Sequence, residues 1–248
     1  MCKRIYHLVM QLTGIGLWWL VSAQASIGLH AQSLPAPSPV AYLARPTAKT
    51  QAAVLVVHDN FGVDAWIRSL CDSLAQAGFL AAAVDLYRGR VPEDFMEAHE
   101  LERALPEKDA QQRVVDAANY LRNVEKVRRI GLLGIAIGGS IALEVLACQG
   151  IEFQACVVNY AALPTADSLI KPITCPLMLH VGERDIGIDR ASVAQFTSKM
   201  QGFQKSVELC SYPKAGFGFL RPTAEGFRPN DATLAWQRTV LFFKKHLF

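Results

Sequence analysis

The chain lacks most of the features by which a sequence announces its chemistry. Its six cysteines include no C-x-x-C pair, and its six histidines show no metal-ligand spacing. Zinc-ribbon and dithiol redox motifs are thereby excluded, and no metal is expected. The formal charge of +3 is spread without a basic cluster, which argues against a nucleic-acid partner. The segment Gly134–Gly139 follows an apolar run but lacks G-x-G-x-x-G, so neither a dinucleotide nor any other cofactor is expected. Neither internal repeats nor low-complexity tracts follow residue 39.

One long hydrophobic run is present, Leu8–Val21, "LVMQLTGIGLWWLV", behind Lys3 and Arg4. A basic start, an apolar centre and then Ala23-Gln24-Ala25 read as a secretory signal over residues 1–31, cleaved after Ala25 or Ala31. The run is shorter than the roughly 20 residues of a membrane span and contains Gln11, Thr13 and two glycines, so no stable span is expected after cleavage. The expected location is secreted or periplasmic. Cleavage removes two bases and no acid, which lowers the net charge from +3 to +1. Of the cysteines, Cys2 goes with the leader. Cys71, Cys148, Cys156, Cys175 and Cys210 stay, mostly in apolar runs that suit small buried side chains. One disulfide is compatible with an oxidising compartment, whereas a disulfide scaffold is not.

Residues 32–39, "QSLPAPSP", read as a proline-rich tether, and residues 40–248 as a single body. Short β-branched runs predict strands at Val40–Ala44, Ala53–His58, Phe79–Val84, Arg129–Leu133, Gln154–Asn159, Pro176–Val181 and Ser206–Tyr212, the first at a sheet edge. Helical patterns fall between them. Asp64 is placed to cap the helix carrying Ile67, Leu70 and Leu74, which Gly78 ends, and Asp109 with Gln112 suggests a capping box for another. A last helix from about Asp231 carries Trp236, Val240, Phe243 and Leu247 at core spacing. Regular alternation of strand and helix predicts an α/β fold: a mostly parallel sheet with helices on both faces.

Ligands of such sheets bind beyond the carboxyl ends of the strands. The sharpest segment there is Gly134-Ile135-Ala136-Ile137-Gly138-Gly139, whose glycine spacing is that of a nucleophile elbow with Ala136 at the apex. Alanine cannot attack a carbonyl. His58, His180 and His99 are assigned structural or solvated roles, and Ser140, one turn into the following helix, should not share the Ala136 direction.

Taken together, "VLVVHDNFG", "GFLAAAVDLYRGR", "LLGIAIGG", "LHVGERD", "YPKAGFGFLRP" and "AWQRTVLFFKKHL" resemble the dienelactone hydrolase family, a branch of the α/β-hydrolases, from Val40 to the C-terminus. The resemblance implies the α/β-hydrolase fold and a cysteine- or serine-histidine-aspartate triad acting on small esters or lactones. It puts Asp185 in the role of the triad acid, Ala136 at the nucleophile and Phe217 at the histidine. Asp59 stands where the family has glutamate. The backbone N–H groups of Ile137 and Asn60 are implied as the oxyanion hole. Arg221, and less directly Arg88, fall where some members hold a substrate carboxylate, with Tyr87, Tyr160, Phe217 and Phe219 as walls.

Of the three triad positions only Asp185 keeps its side chain, and losing nucleophile or base costs about 10⁶ in turnover in a comparable triad. The leading expectation is a triad-deficient protein that binds a small carboxylate, ester, lactone or other carbonyl compound. Two alternatives stand beside it: hydrolysis by water activated at Asp59 or Asp185, and a non-enzymatic module presenting a surface to a protein partner. A plugged pocket, with Phe217 filling the Ala136 side, would favour the last.

Overall fold

A computed structural model describes residues 30–33, 38–148 and 150–248. The expected leader, up to residue 29, lies outside the described residues. The elements in chain order are β1 (His30–Ser33), β2 (Val40–Arg45), β3 (Ala52–Val57), α1 (Ala65–Gln76), β4 (Leu80–Val84), α2 (Phe95–Ala104), α3 (Glu107–Asn123), β5 (Arg129–Ile135), α4 (Ile137–Cys148), β6 (Ala155–Asn159), α5 (Asp167–Ile170), β7 (Leu177–Gly182), α6 (Arg190–Gly202), β8 (Val207–Tyr212) and α7 (Pro229–Leu247).

The strands form one eight-stranded sheet in the order β1-β2-β4-β3-β5-β6-β7-β8. Pairing is parallel from β4 to β8 and antiparallel at β1–β2 and β2–β4. All seven expected strands are present within two residues of their predicted limits at either end. β2 is not the edge, however: His30 pairs with Arg45 and Ser33 with Tyr42, so β1 covers it. That pairing spans the expected Ala31 cleavage point and takes in two residues of the expected tether.

Central strands are buried on both faces, as a helix-covered parallel sheet requires: every residue of β3, β4 and β6 is buried. One face packs on α3 and α4 through Val114, Leu121, Ile141 and Val145, with Phe196 and Met200 of α6. The other packs on α1 and α7 through Ile67, Leu74, Phe243 and Leu247. The predicted cap of α1 is present, Asp64 accepting from the Ile67 N–H at 3.0 Å. The predicted box at Asp109 is not: α3 begins at Glu107 after Pro106, and Asp109 instead accepts from Arg88. Cys71, Cys148, Cys156, Cys175 and Cys210 are all free thiols.

Candidate functional site at the nucleophile elbow

The elbow is built by close backbone contact. A Cβ on Gly138 would lie 2.2 Å from the Val57 carbonyl oxygen and 2.4 Å from that of His58. One on Gly134 would lie 2.5 Å from the Cα of Gly139. No side chain fits at either position, so the start of α4 presses directly on the end of β3. Ile137 is the first residue of α4, and Asn60 lies in the loop after β3. Ala136 sits at the apex with φ of 51°, in the left-handed region, and its N–H donates to the Asn159 carbonyl at 3.0 Å. The next strand ends similarly: Tyr160 has a positive φ of 35° and its N–H donates to the His180 carbonyl at 2.9 Å. Two strained backbones at adjacent strand ends are held by continuation of the sheet ladder.

In the segments that follow β4, β6 and β7, several polar atoms have no partner among the described residues. The Asp185 Oδ1 accepts from the Gly187 N–H at 2.8 Å, while its Oδ2 is buried and accepts nothing from the described residues. Burial pushes the Asp185 carboxyl above the usual carboxylate range, against the pull of the Gly187 and Ile188 amides. The Tyr160 and Tyr87 hydroxyls are likewise buried and unpartnered. Burial raises both phenols, with added repulsion from Asp59 on Tyr160 and from Glu102 and Asp59 on Tyr87. Buried polar atoms of this kind cost stability unless something fills their valence.

Phe217, which the resemblance puts at the histidine position, is half exposed and meets Tyr160 edge-on, with ring centroids 5.4 Å apart. Phe219 is fully buried and also meets Tyr160 edge-on, with ring centroids 5.7 Å apart. Ser140 donates to the Ala162 carbonyl at 3.1 Å and plays no part at the apex.

Two expected ligand-holding residues are placed otherwise. Arg221 is 6% exposed and fully committed: Nε and Nη2 each donate to Asp59 at 2.9 Å, and Nη1 donates to Asp64 at 2.7 Å. Burial alone would lower its guanidinium, but the bonds from Asp59 and Asp64 outweigh it and raise it. Phe61 and Trp66 stack on the same group, 4.6 and 4.5 Å from its carbon. The Arg221 fork therefore reads protein carboxylates rather than presenting itself to a ligand. Asp59 is correspondingly occupied, since its Oδ1 also accepts from the Phe61 N–H. Arg88 is exposed and pairs with Asp109 across a surface depression that also includes Pro39 and Arg113. Its φ of 55° lies in the left-handed region at the end of the Asp-Leu-Tyr segment, and its guanidinium goes to Asp109.

Two contacts escaped the sequence reading. Glu102 of α2 accepts from the Asn60 side chain at 2.6 Å and so anchors the loop after β3 from outside the sheet. Asp64 serves Arg221 as well as capping α1. The second was signalled by two acids and two aromatics packed into "HDNFGVDAW". The histidines behave as expected: His58 and His180 are fully buried, and His99 is half exposed beside Glu102.

Comparison with known proteins agrees with this architecture. The model of the dienelactone hydrolase family matches residues 40–247. The chain belongs to that family. A Bradyrhizobium protein named "Probable 2-oxo-3-(5-oxofuran-2-ylidene)propanoate lactonase" is 34% identical over 226 residues, covering 85% of this chain and 90% of its own. "Carboxymethylenebutenolidase 1" of Cupriavidus pinatubonensis is 29% identical over 212 residues, with 81% and 88% covered. Among solved structures, the dienelactone hydrolase of Anabaena variabilis superposes with a TM-score of 0.63 at 21% identity, covering 84% of this chain and 91% of that one. A dienelactone hydrolase-like promiscuous phosphotriesterase from metagenomic libraries gives 0.76 at 15% identity, with 84% and 92% covered. The structural likenesses speak for the fold alone.

Proposed function

We propose that the protein binds a small lactone, ester or related carboxylate at the elbow and does not hydrolyse it by the family's triad. The observation that carries this reading is a mismatch at one site. Three buried oxygens, on Tyr87, Tyr160 and Asp185, lack partners among the described residues, while Ala136 and Phe217 stand where the family resemblance expects the nucleophile and the histidine. A carbonyl ligand with its hydration shell would satisfy polar atoms that the fold leaves bare, and the N–H groups of Ile137 and Asn60 would face its oxygen. Neither Ala136 nor Phe217 carries an atom that could attack a carbonyl or carry a proton. Names among the relatives, lactonase and butenolidase, supply the ligand class. We also propose export from the cytoplasm on the basis of the N-terminal leader pattern; N-terminal sequencing of the protein recovered from a fractionated native host tests that point.

One observation favours a second reading. The bare Oδ2 of Asp185, on a carboxyl raised by burial, is a group that could take a proton from water. The deciding experiment compares the purified protein with the double variant Ala136→Cys, Phe217→His, using p-nitrophenyl acetate and a dienelactone. We expect the unmodified protein to bind the dienelactone calorimetrically without turnover and the double variant to hydrolyse it. Turnover by the unmodified protein that disappears in Asp185→Asn would replace the binding reading with the second one.

A further inference from the structure

β8 ends the sheet, and no strand of the described residues pairs with its outer edge. The phase of the ladder says which groups face outward. The Leu177 N–H donates to the Ser206 carbonyl at 3.0 Å and the Glu183 N–H to the Tyr212 carbonyl at 3.0 Å. Alternation along a parallel ladder therefore turns the backbone of Ser206, Glu208, Cys210 and Tyr212 inward to β7, and that of Val207, Leu209 and Ser211 outward. Native sheets blunt such edges with lysine, proline or a bulge. Within its limits β8 has none of these: Val207–Tyr212 reads VELCSY, its one charge is Glu208, and its register with β7 runs unbroken. Leu209, at the middle, is 44% exposed.

We propose that β8 is a dimerisation edge, pairing antiparallel with β8 of a second copy of this chain about a two-fold axis at Leu209. Symmetry and charge select that register. With the axis at Leu209, Leu209 opposes itself and Val207 opposes Ser211 in both directions, so every outward N–H and C=O of the strand gains a partner. Moving the axis to Cys210 sets Val207 against Pro213, which has no N–H, and moving it to Glu208 sets that carboxylate against itself. In the Leu209 register Glu208 lies opposite Cys210 of the second copy. The side chains of Glu208, Cys210 and Tyr212 share the sheet face covered by α7: Glu208 is 3.6 Å from Lys245, while Arg238 donates to the Tyr212 hydroxyl at 3.3 Å and to the Cys210 thiol. Glu208 of one copy therefore meets Arg238 of the other, twice by symmetry, and opposite charges on cross-strand neighbours favour pairing. Leu241, between Arg238 and Lys245 on the same face of α7, is 67% exposed and extends the contact with apolar surface. A two-fold pair closes on itself, so the edge is consumed in a dimer and no filament grows from it. The elbow after β5 lies three strands away, and the dimer stands whatever the elbow binds.

The test is sedimentation velocity of the full-length protein over a concentration series, repeated on Leu209→Lys, Glu208→Arg, Arg238→Glu and the double variant Glu208→Arg, Arg238→Glu. The unmodified protein should sediment as a dimer that dissociates on dilution. Leu209→Lys places two like charges on the axis, and each single reversal places like charges across the strands, so all three should weaken the dimer at least about tenfold. The double variant restores opposite signs and should recover most of that loss. Far-UV circular dichroism melts separate loss of pairing from loss of fold. Glu208 is exposed, so Glu208→Arg and its rescue decide the matter if Leu209→Lys does not fold. A monomer at every concentration, a dimer that none of the single variants weakens, or a double variant no tighter than the single reversals would each overturn the proposal.

Discussion

Arg221 and Asp59, 162 residues apart in the chain, meet through two parallel hydrogen bonds of 2.9 Å with both side chains 7% exposed. The pair closes the loop after β3 against the segment after β8. Planar guanidinium and carboxylate match in geometry, and aromatic rings from Phe61 and Trp66 cover the guanidinium in place of the water it has lost.

Removing one partner leaves the other buried and uncompensated. Arg221→Met should therefore lower stability by about 3–5 kcal/mol in urea unfolding. Combining it with Asp59→Leu should recover part of that loss, so the double variant is less unstable than the two single effects added together.

Asp185 should respond to pH in the opposite sense to an ordinary paired carboxylate. Its native pKa lies above the unfolded value because of burial, so the folded chain keeps a proton that the unfolded chain releases. Stability is then lost as pH rises from the ordinary carboxylate range through the raised value. Asp185→Asn should be the more stable protein at neutral pH, with the difference fading below about pH 3.5. Urea midpoints at the two pH values measure it.

His180 is buried and neutral, donating through one ring nitrogen and accepting through the other between Tyr212 and Thr239. Burial, with help from Arg238, lowers its pKa to about 3, and burial lowers His58 as well. Below the ordinary histidine pKa the unfolded chain takes up protons that the native state refuses. Stability should fall with acidification, by about 1.4 kcal/mol per pH unit for each such histidine. His180→Asn should show a shallower fall between neutral and mildly acidic pH.

Gly138→Ala should fail where Ala136→Cys succeeds. The first places a Cβ 2.2 Å from a backbone oxygen that cannot move without opening β3, while the second adds one sulfur to a position that already has a Cβ. Soluble expression and the far-UV circular dichroism melt of the two variants distinguish them.

What could be read in advance followed the range of the interactions. Strands β3 and β5 were legible because β-branched and apolar residues mark a buried parallel strand within a few positions. The glycine elbow was legible because its steric demand is local. β1 was not, since the same residues also fit the end of a leader and only pairing with β2 distinguishes the two. The place of Arg221 could be foreseen, but its commitment to Asp59 and Asp64 depends on the meeting of segments more than 150 residues apart. Asp109 illustrates the reverse error: a good local cap pattern yielded to Pro106, which starts α3 earlier.

The elbow stores two kinds of information in six residues. Gly134, Gly138 and Gly139 encode a distance of approach between a helix and two strands, and they would be needed whatever the protein did. The apex encodes a reaction, and it can be rewritten without touching the distance. A match to the glycine pattern therefore measures how the backbone crosses itself, and it says nothing of which side chain stands at the apex.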